Sequence, residues 1–536
     1  MIFSYAPLGY EGEVVSVEAD LRRSIPGFDV VGLPDSAVRE ARERVRVAVR
    51  NSGFVFPAAR ILVNLSPADV RKEGSGFDLP IALAVIRAGG SIPLPFEEPP
   101  GEIGRQPAAI PDRSILAVGE LTLSGRVEPV KGVISAVCAG FDRGIDRFIL
   151  PADNCREAAA AVDGKGYIVP VRDLAGAVRA VSELISSPKP RLEEYVLEGV
   201  RPWREKTPDL DIRDGYGDLS DIRGQDRVKR ALQIAATGRH NLLLFDPPGS
   251  GKTMAATRLP GILPDLSSAE ALEVTRIYSL AGQPIPSSGL ISRPPFRFPH
   301  HSASQEGMIG GGRGLSPGEI SLAHKGVLFL DEVPEFRKSI LQALREPTEQ
   351  GRVFIVRAGK NYWFPADFQL IFTANPCPCG NLGAEKKPCL CSRREIEDYW
   401  KRLGAAVMDR IDMRIPLKPI DPREVLQVSP VTTRGVRQSV EEAVERQRSR
   451  YGEYSFDRNG RIPPGLVDKF CVLDEDSSLL FTRTTRKLSL STRACHGILK
   501  VARTIADLDG GGEIGKSHLL EATEYRRYGD SDFFWG

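Results

Sequence analysis

The sequence lacks the features that mark several large protein classes. None of its apolar runs approaches the ~18 residues of a bilayer span, so no membrane helix is expected. The opening MIFSYAPLGYEGEVVSVEAD has no basic leader, and Gly9 to Glu13 interrupts its apolar stretch, so no secretory signal is expected. Eight cysteines in 536 residues are too few for a disulfide scaffold. Neither sign of charge dominates: 72 Lys and Arg stand against 70 Asp and Glu, a formal net charge of +2. Bulk charge therefore does not announce a nucleic-acid binder, and any such contact must come from local patches. Tandem repeats and low-complexity tracts are also missing. What remains is a globular chain, expected in the cytoplasm with no membrane partner. Its 41% hydrophobic and 26% charged residues exclude disorder as the dominant state. Its length suits about three domains.

Three textures follow along the chain. Residues 1–185 alternate strand-like and helix-like patterns. Val14 to Val17 and Ile61 to Leu65 read as strands. Between them Ser36 to Asn51 reads as a helix, capped by Asp35 or Ser36, with Val38, Ala41, Val45 and Ala48 as its apolar stripe. Its arginines (39, 42, 44, 46 and 50) sit mostly off that stripe, as on a solvated face, with a nucleic-acid or partner surface as the alternative. Residues 186–215 are rich in proline and charge and read as a linker. Residues 216–420 alternate apolar strands, helices and Gly/Pro-rich loops, as a parallel α/β sheet does. Residues 421–525 read as helical, with Ile498, Val501, Ala502, Ile505 and Leu508 on one stripe.

The strongest chemical signal follows the apolar run Asn241 to Phe245. Asp246-Pro-Pro-Gly-Ser-Gly-Lys-Thr253 fits the phosphate loop G-x-x-x-x-G-K-[ST] except at its first position. In the nucleotide-binding loop Pro248, Gly249, Ser250 and Gly251, the two glycines would let the backbone wrap phosphates with its N–H groups. Lys252 would reach the β- and γ-phosphates of ATP, and Thr253 would ligate Mg²⁺. Asp246 replaces the usual glycine, and a side chain directed away from the loop is expected. A second apolar strand, Gly326 to Leu330, ends in Asp331 and Glu332, suited to holding Mg²⁺ and to activating water. A third, Phe368 to Ala374, ends in Asn375, which could orient that water.

Two segments are candidates to line a pore. One is 297–323, with the tip Gly310-Gly-Gly-Arg313-Gly314. The other is the hairpin 353–364, with Lys360 near its tip and Tyr362, Trp363 and Phe364 beside it. Lysine neutralises phosphate and aromatics stack on bases, but hairpin aromatics also pack inward. His300 and His301 have no third ligand nearby and read as loop packing. Cys377, Cys379, Cys389 and Cys391 are two C-x-C pairs, which suit a structural Zn²⁺ and equally suit reduced thiols.

Taken in order, these residues resemble the AAA+ ATPases. Asp221-Ile-Arg-Gly-Gln225 is similar to their adenine-side box, Asp409-Arg410-Ile-Asp412 to their arginine-finger segment, and Ser491-Thr-Arg493 to their second sensor. Pro299 to Ser304, Pro317 to His324, Ala374 to Gly380 and Val501 to Asp507 narrow the resemblance to the YifB/ComM, or Mg-chelatase-like, family over nearly the whole chain. The resemblance implies an α/β AAA+ phosphate-loop domain with a C-terminal helical lid, working as a homo-hexamer with sites between subunits. It implies ATP hydrolysis coupled to DNA, as in a helicase that drives branch migration in natural transformation or recombination. Arg410 would reach a neighbour's γ-phosphate, and Arg493 would bind phosphate from the lid. The segment Leu403 to Met408 departs from the family's usual Ser-Gly-Pro-Leu-Leu pattern around the finger. In the first region, Lys72 to Leu79 and Gly119 to Pro129 resemble the Lon-protease (ribosomal S5 domain 2-like) fold. Its Ser–Lys dyad positions fall on Gly76 and Ile134, with Ser75 and Lys131 nearby, so a non-proteolytic relative is expected. The competing readings are a chelatase-type motor acting on a protein partner, an ATP-dependent protease, and a nucleotide-gated scaffold.

Overall fold

The computed structural model describes residues 1–92, 113–162, 166–186, 215–312, 314–357, 359–384, 387–417, 422–427 and 429–526. Nearly all of the expected linker, and Arg313 of the glycine-rich tip, lie outside them. The first region carries a seven-stranded mixed sheet in the order 27–31, 60–66, 11–22, 2–8, 115–117, 147–151, 167–171. Ile2–Leu8 and Glu11–Arg22 form its central antiparallel pair, turning at Gly9, where φ is +73°. The helix Ser36–Asn51 forms as its pattern predicts. Asp35 accepts from the Val38 amide at 2.8 Å, and Val38, Ala41, Val45 and Ala48 are buried. One arginine departs from the solvated face: Arg44 pairs at 2.8 Å with Asp78, a fully buried carboxylate that opens the helix Asp78–Ala88. Glu120–Leu121 and Val127–Glu128 pair as the short strand-turn-strand that the sequence suggests.

The second sheet has five strands, all parallel, ordered 296–297, 327–330, 369–374, 242–245, 413–416. The first strand in sequence, Leu242–Phe245, lies inside the sheet, and chain order reverses beside it. Such a switch point opens a crevice at the carboxyl ends of the strands. One face of the sheet buries Leu243, Leu328, Leu370 and Phe372 with Ile340 and Leu344. The other face buries Leu242, Leu244, Phe329 and Ile371. That second core continues without a break into Ile498, Val501, Ala502 and Ile505 of the helix Thr492–Leu508. The C-terminal helices therefore share a core with the sheet.

The two sheets are joined by a docked hairpin. Arg352–Arg357 and Lys360–Pro365 pair antiparallel, and Trp363 and Phe364 of the second strand pack with Tyr10 of the first region. Trp363 lies 5.3 Å from the Tyr10 ring, and the Tyr10 amide donates to the Trp363 carbonyl at 3.0 Å. Phe364 is 1% exposed, clustered with Tyr10, Ile277 and Leu280. Lys360 donates to the Asp69 carbonyl at 2.8 Å. Arg276 completes the joint, 4.2 Å above the Tyr10 ring and donating to Ser135 Oγ at 2.8 Å. This corrects the base-stacking expectation for the hairpin. An aromatic buried against a second sheet gains more than one left in solvent, so Trp363 and Phe364 pack inward.

Candidate nucleotide site

Three adjacent strands of the parallel sheet deliver the site. Leu242–Phe245 opens into the phosphate loop, Val327–Leu330 into Asp331 and Glu332, and Gln369–Ala374 into Asn375. Hydrogen bonding between these strands brings the three exits to one edge. Within the loop, Gly249 and Gly251 both take φ +87°. A Cβ on Gly249 would meet nothing within 4 Å, so backbone conformation rather than space requires glycine there. Lys252, the first residue of the next helix, is buried and curls back over the loop. Its ammonium donates to the carbonyls of Asp246 at 2.7 Å and Pro247 at 3.0 Å. Burial pushes its pKa below the ordinary lysine range.

The oxygens beside it form a connected set. Thr253 Oγ1 lies 3.0 and 3.2 Å from the two carboxylate oxygens of Asp331. Thr373 donates to the same carboxylate and accepts from the Glu332 amide at 2.9 Å. Glu332 takes φ +50°, a costly conformation for a side-chain-bearing residue, and its side chain stays exposed. A hydroxyl and a carboxylate at this spacing are hard oxygen donors of the kind Mg²⁺ takes. Asn375 sits half-buried one residue past its strand.

Asp246 is half-buried where its strand gives way to the loop. Burial pushes its carboxyl pKa from 3.8 up to about 6, with the nearby Lys252 ammonium opposing the rise, while the Ser250 hydroxyl donates to the Pro247 carbonyl at 3.0 Å. The φ of Asp246 is not positive, so the position does not demand glycine's freedom.

The remaining predicted residues gather elsewhere. Arg410 pairs with Glu349 and donates to the Ala406 carbonyl, and its side chain is only 5% exposed. Arg493 donates to the same Glu349 oxygen at 2.9 Å. Ser491 donates to Asp409 at 3.1 Å, tying the two segments together. The structure thus joins Arg410 to Arg493, not to the phosphate loop of its own chain. Asp221 pairs with Arg258 at 3.1 Å, fastening the adenine-side box to the helix that begins at Lys252. Cys377, Cys379, Cys389 and Cys391 converge, with all four sulfurs within 4.8 Å of one another. His300 stacks on His301 at 4.0 Å and bonds Ser302. Ser75 donates to Glu120, while the Lys131 side chain lies against Gly282, so the two are not brought together. Sequence reading missed Thr373 and Glu349. Thr373 had a signal, a hydroxyl in an otherwise apolar strand, whereas Glu349 is one acid among many.

Comparison with known proteins places these features in a family. Residues 218–425 match the family described as magnesium chelatase, subunit ChlI. Residues 17–154 match that described as subunit ChlI of Mg-chelatase, and residues 431–526 its C-terminal part. The chain is 38% identical over 529 residues to YifB of Escherichia coli, covering 98% of this chain and 96% of YifB. It is 38% identical over 535 residues to the competence protein ComM of Haemophilus influenzae, covering 98% and 97%. To the magnesium-chelatase 38 kDa subunit of Cereibacter sphaeroides it is 24% identical over 324 residues, 56% of this chain and 88% of that one.

Proposed function

The chain belongs to the YifB/ComM family of magnesium-chelatase-like AAA+ proteins, and from that membership we propose that it is an ATP-driven motor acting on DNA. The observation that carries the ATPase reading is the oxygen set Thr253–Asp331–Thr373, assembled beside Lys252 at the switch point of the sheet. Thr253 and Asp331 would hold Mg²⁺, which would neutralise charge on the phosphates. The amides of Gly249, Ser250 and Gly251 bind the phosphates, Pro248 shapes the turn that precedes them, and Lys252 moves from its loop carbonyls to the β- and γ-phosphates. Glu332 takes the proton of the attacking water, and Asn375 orients that water. Arg410 leaves Glu349 to meet the γ-phosphate of a neighbouring subunit in a homo-hexamer, a role worth ~10³–10⁵ in rate where arginine fingers are measured, and Arg493 leaves it to bind phosphate from the lid. A 38% identical relative is named a competence protein, which supports DNA as the substrate; branch migration as the work is what the family resemblance implies.

The test is ATP hydrolysis by the purified protein with no DNA and with single-stranded, duplex or four-way-junction DNA. DNA-stimulated turnover that Glu332→Gln abolishes is the expected result. Turnover indifferent to every DNA would shift the reading to the second candidate, a chelatase-type motor working on a protein partner. Likeness to the 38 kDa chelatase subunit favours that alternative. Binding of ATP without turnover would leave a nucleotide-gated scaffold.

A further inference from the structure

The stretch from Asn375 to Ser392 contains no helix or strand among its described residues. Loops of that length inside a packed domain are uncommon without something to order them. This one is closed at its base. Trp400 of the helix Arg393–Lys401 donates its indole N–H to the Pro376 carbonyl at 3.0 Å. Ser392 caps the same helix directly after Cys391, in a reciprocal box with Glu395. Among its described residues the loop contributes none to the apolar cores, and the four cysteines gather within it.

Their geometry is that of a metal cage. The Sγ separations are 3.4 Å for Cys377–Cys379, 3.5 Å for Cys377–Cys389 and 3.6 Å for Cys379–Cys389. Four thiolates at ~2.3 Å from a tetrahedral zinc stand about 3.8 Å apart, close to these values. None of the four is in a disulfide. The Leu382 amide donates to the Cys377 sulfur at 3.4 Å, the kind of bond that steadies a metal-bound thiolate. A four-sulfur donor set prefers zinc over the harder divalent ions.

The position of this loop gives the cage a task. Asn375 is two residues before Cys377. Gly380, between the two cysteine pairs at φ +77°, packs so closely on the phosphate loop that a Cβ there would lie 3.0 Å from Pro248. We propose that Cys377, Cys379, Cys389 and Cys391 bind one zinc ion, and that this centre braces Asn375 and Gly380 against the phosphate loop. Each thiol releases its proton to solvent as its sulfur coordinates. With all four positions filled by protein the metal has no open site, so its role is structural. The bracing half rests on the nucleotide reading above; the metal half does not.

The full chain, purified with reductant and without chelator, is analysed for metals. About one zinc per chain is expected, falling to near zero in the double variant Cys389→Ser/Cys391→Ser. Protein free of metal, or carrying iron in its place, would overturn the assignment. Affinity for a fluorescent ATP analogue is then measured before metal removal, after it, and after zinc is returned. Removal should weaken binding roughly tenfold, as the loss of one or two loop hydrogen bonds would, and zinc should restore it. Unchanged affinity with the zinc gone would overturn the brace. No binding even to the zinc-loaded protein would defeat the nucleotide reading and leave the zinc count standing.

Discussion

Asp246 is the residue at which this site departs most from a standard phosphate loop, and its effect depends on pH. A carboxyl held at about 6 instead of 3.8 keeps its proton more firmly in the folded chain. The stability this contributes is fully present below the ordinary value and is lost as pH rises through about 6. Above that pH an anion also faces the incoming triphosphate. ATP affinity should therefore fall between pH 5.5 and 7.5 more steeply than in Asp246→Gly, and the variant should bind more tightly at pH 7.5; nucleotide titrations across that range decide it. Thr373 carries two bonds that hold the acidic pair. Thr373→Val should cost ~1 kcal/mol per bond in unfolding and, by loosening the acidic pair by the same amount, lower ATP turnover roughly 10–30-fold. Glu349 is the counter-charge to a nearly buried Arg410, though itself partly solvated. Glu349→Gln should cost about 1–2 kcal/mol in urea unfolding, below the value for a fully buried pair because water screens the glutamate.

At the scale of elements, the sequence was most legible where one local rule decided the outcome. The helix Ser36–Asn51 was readable because cap, stripe and terminator agreed. The three strands that end before Asp246, Asp331 and Asn375 were readable because each is a short apolar run closed by polar residues. Long-range pairing was not readable. Nothing local says that Arg410 and Arg493 share Glu349, or that Arg44 leaves its solvated face for Asp78. The hairpin 352–365 was legible as a hairpin, but the target of its aromatics was not, because the surface they cover comes from the first ten residues. The helix Thr492–Leu508 shows the same contrast. Its stripe was plain, yet the stripe packs into the core of the sheet. Ile505→Ala should accordingly cost ~2–5 kcal/mol and destabilise the sheet along with the helices, which hydrogen exchange in Leu242–Phe245 would report.

At the scale of the whole molecule, the two large sheets among the described residues are welded through Tyr10, Arg276, Ser135 and the hairpin. Tyr10→Ala should remove about 2–4 kcal/mol of packing and split thermal unfolding into two transitions, one for each sheet. A single transition in that variant would show the joint to matter little. The same joint constrains descent and domain exchange. A gene fusion that swapped the first region for an unrelated one would bare Trp363, Phe364 and Leu280 on the ATPase half, a ready patch for aggregation. Within this chain the two halves therefore constrain one another, and a substitution at Tyr10 invites compensation at Trp363, on the far side of the joint.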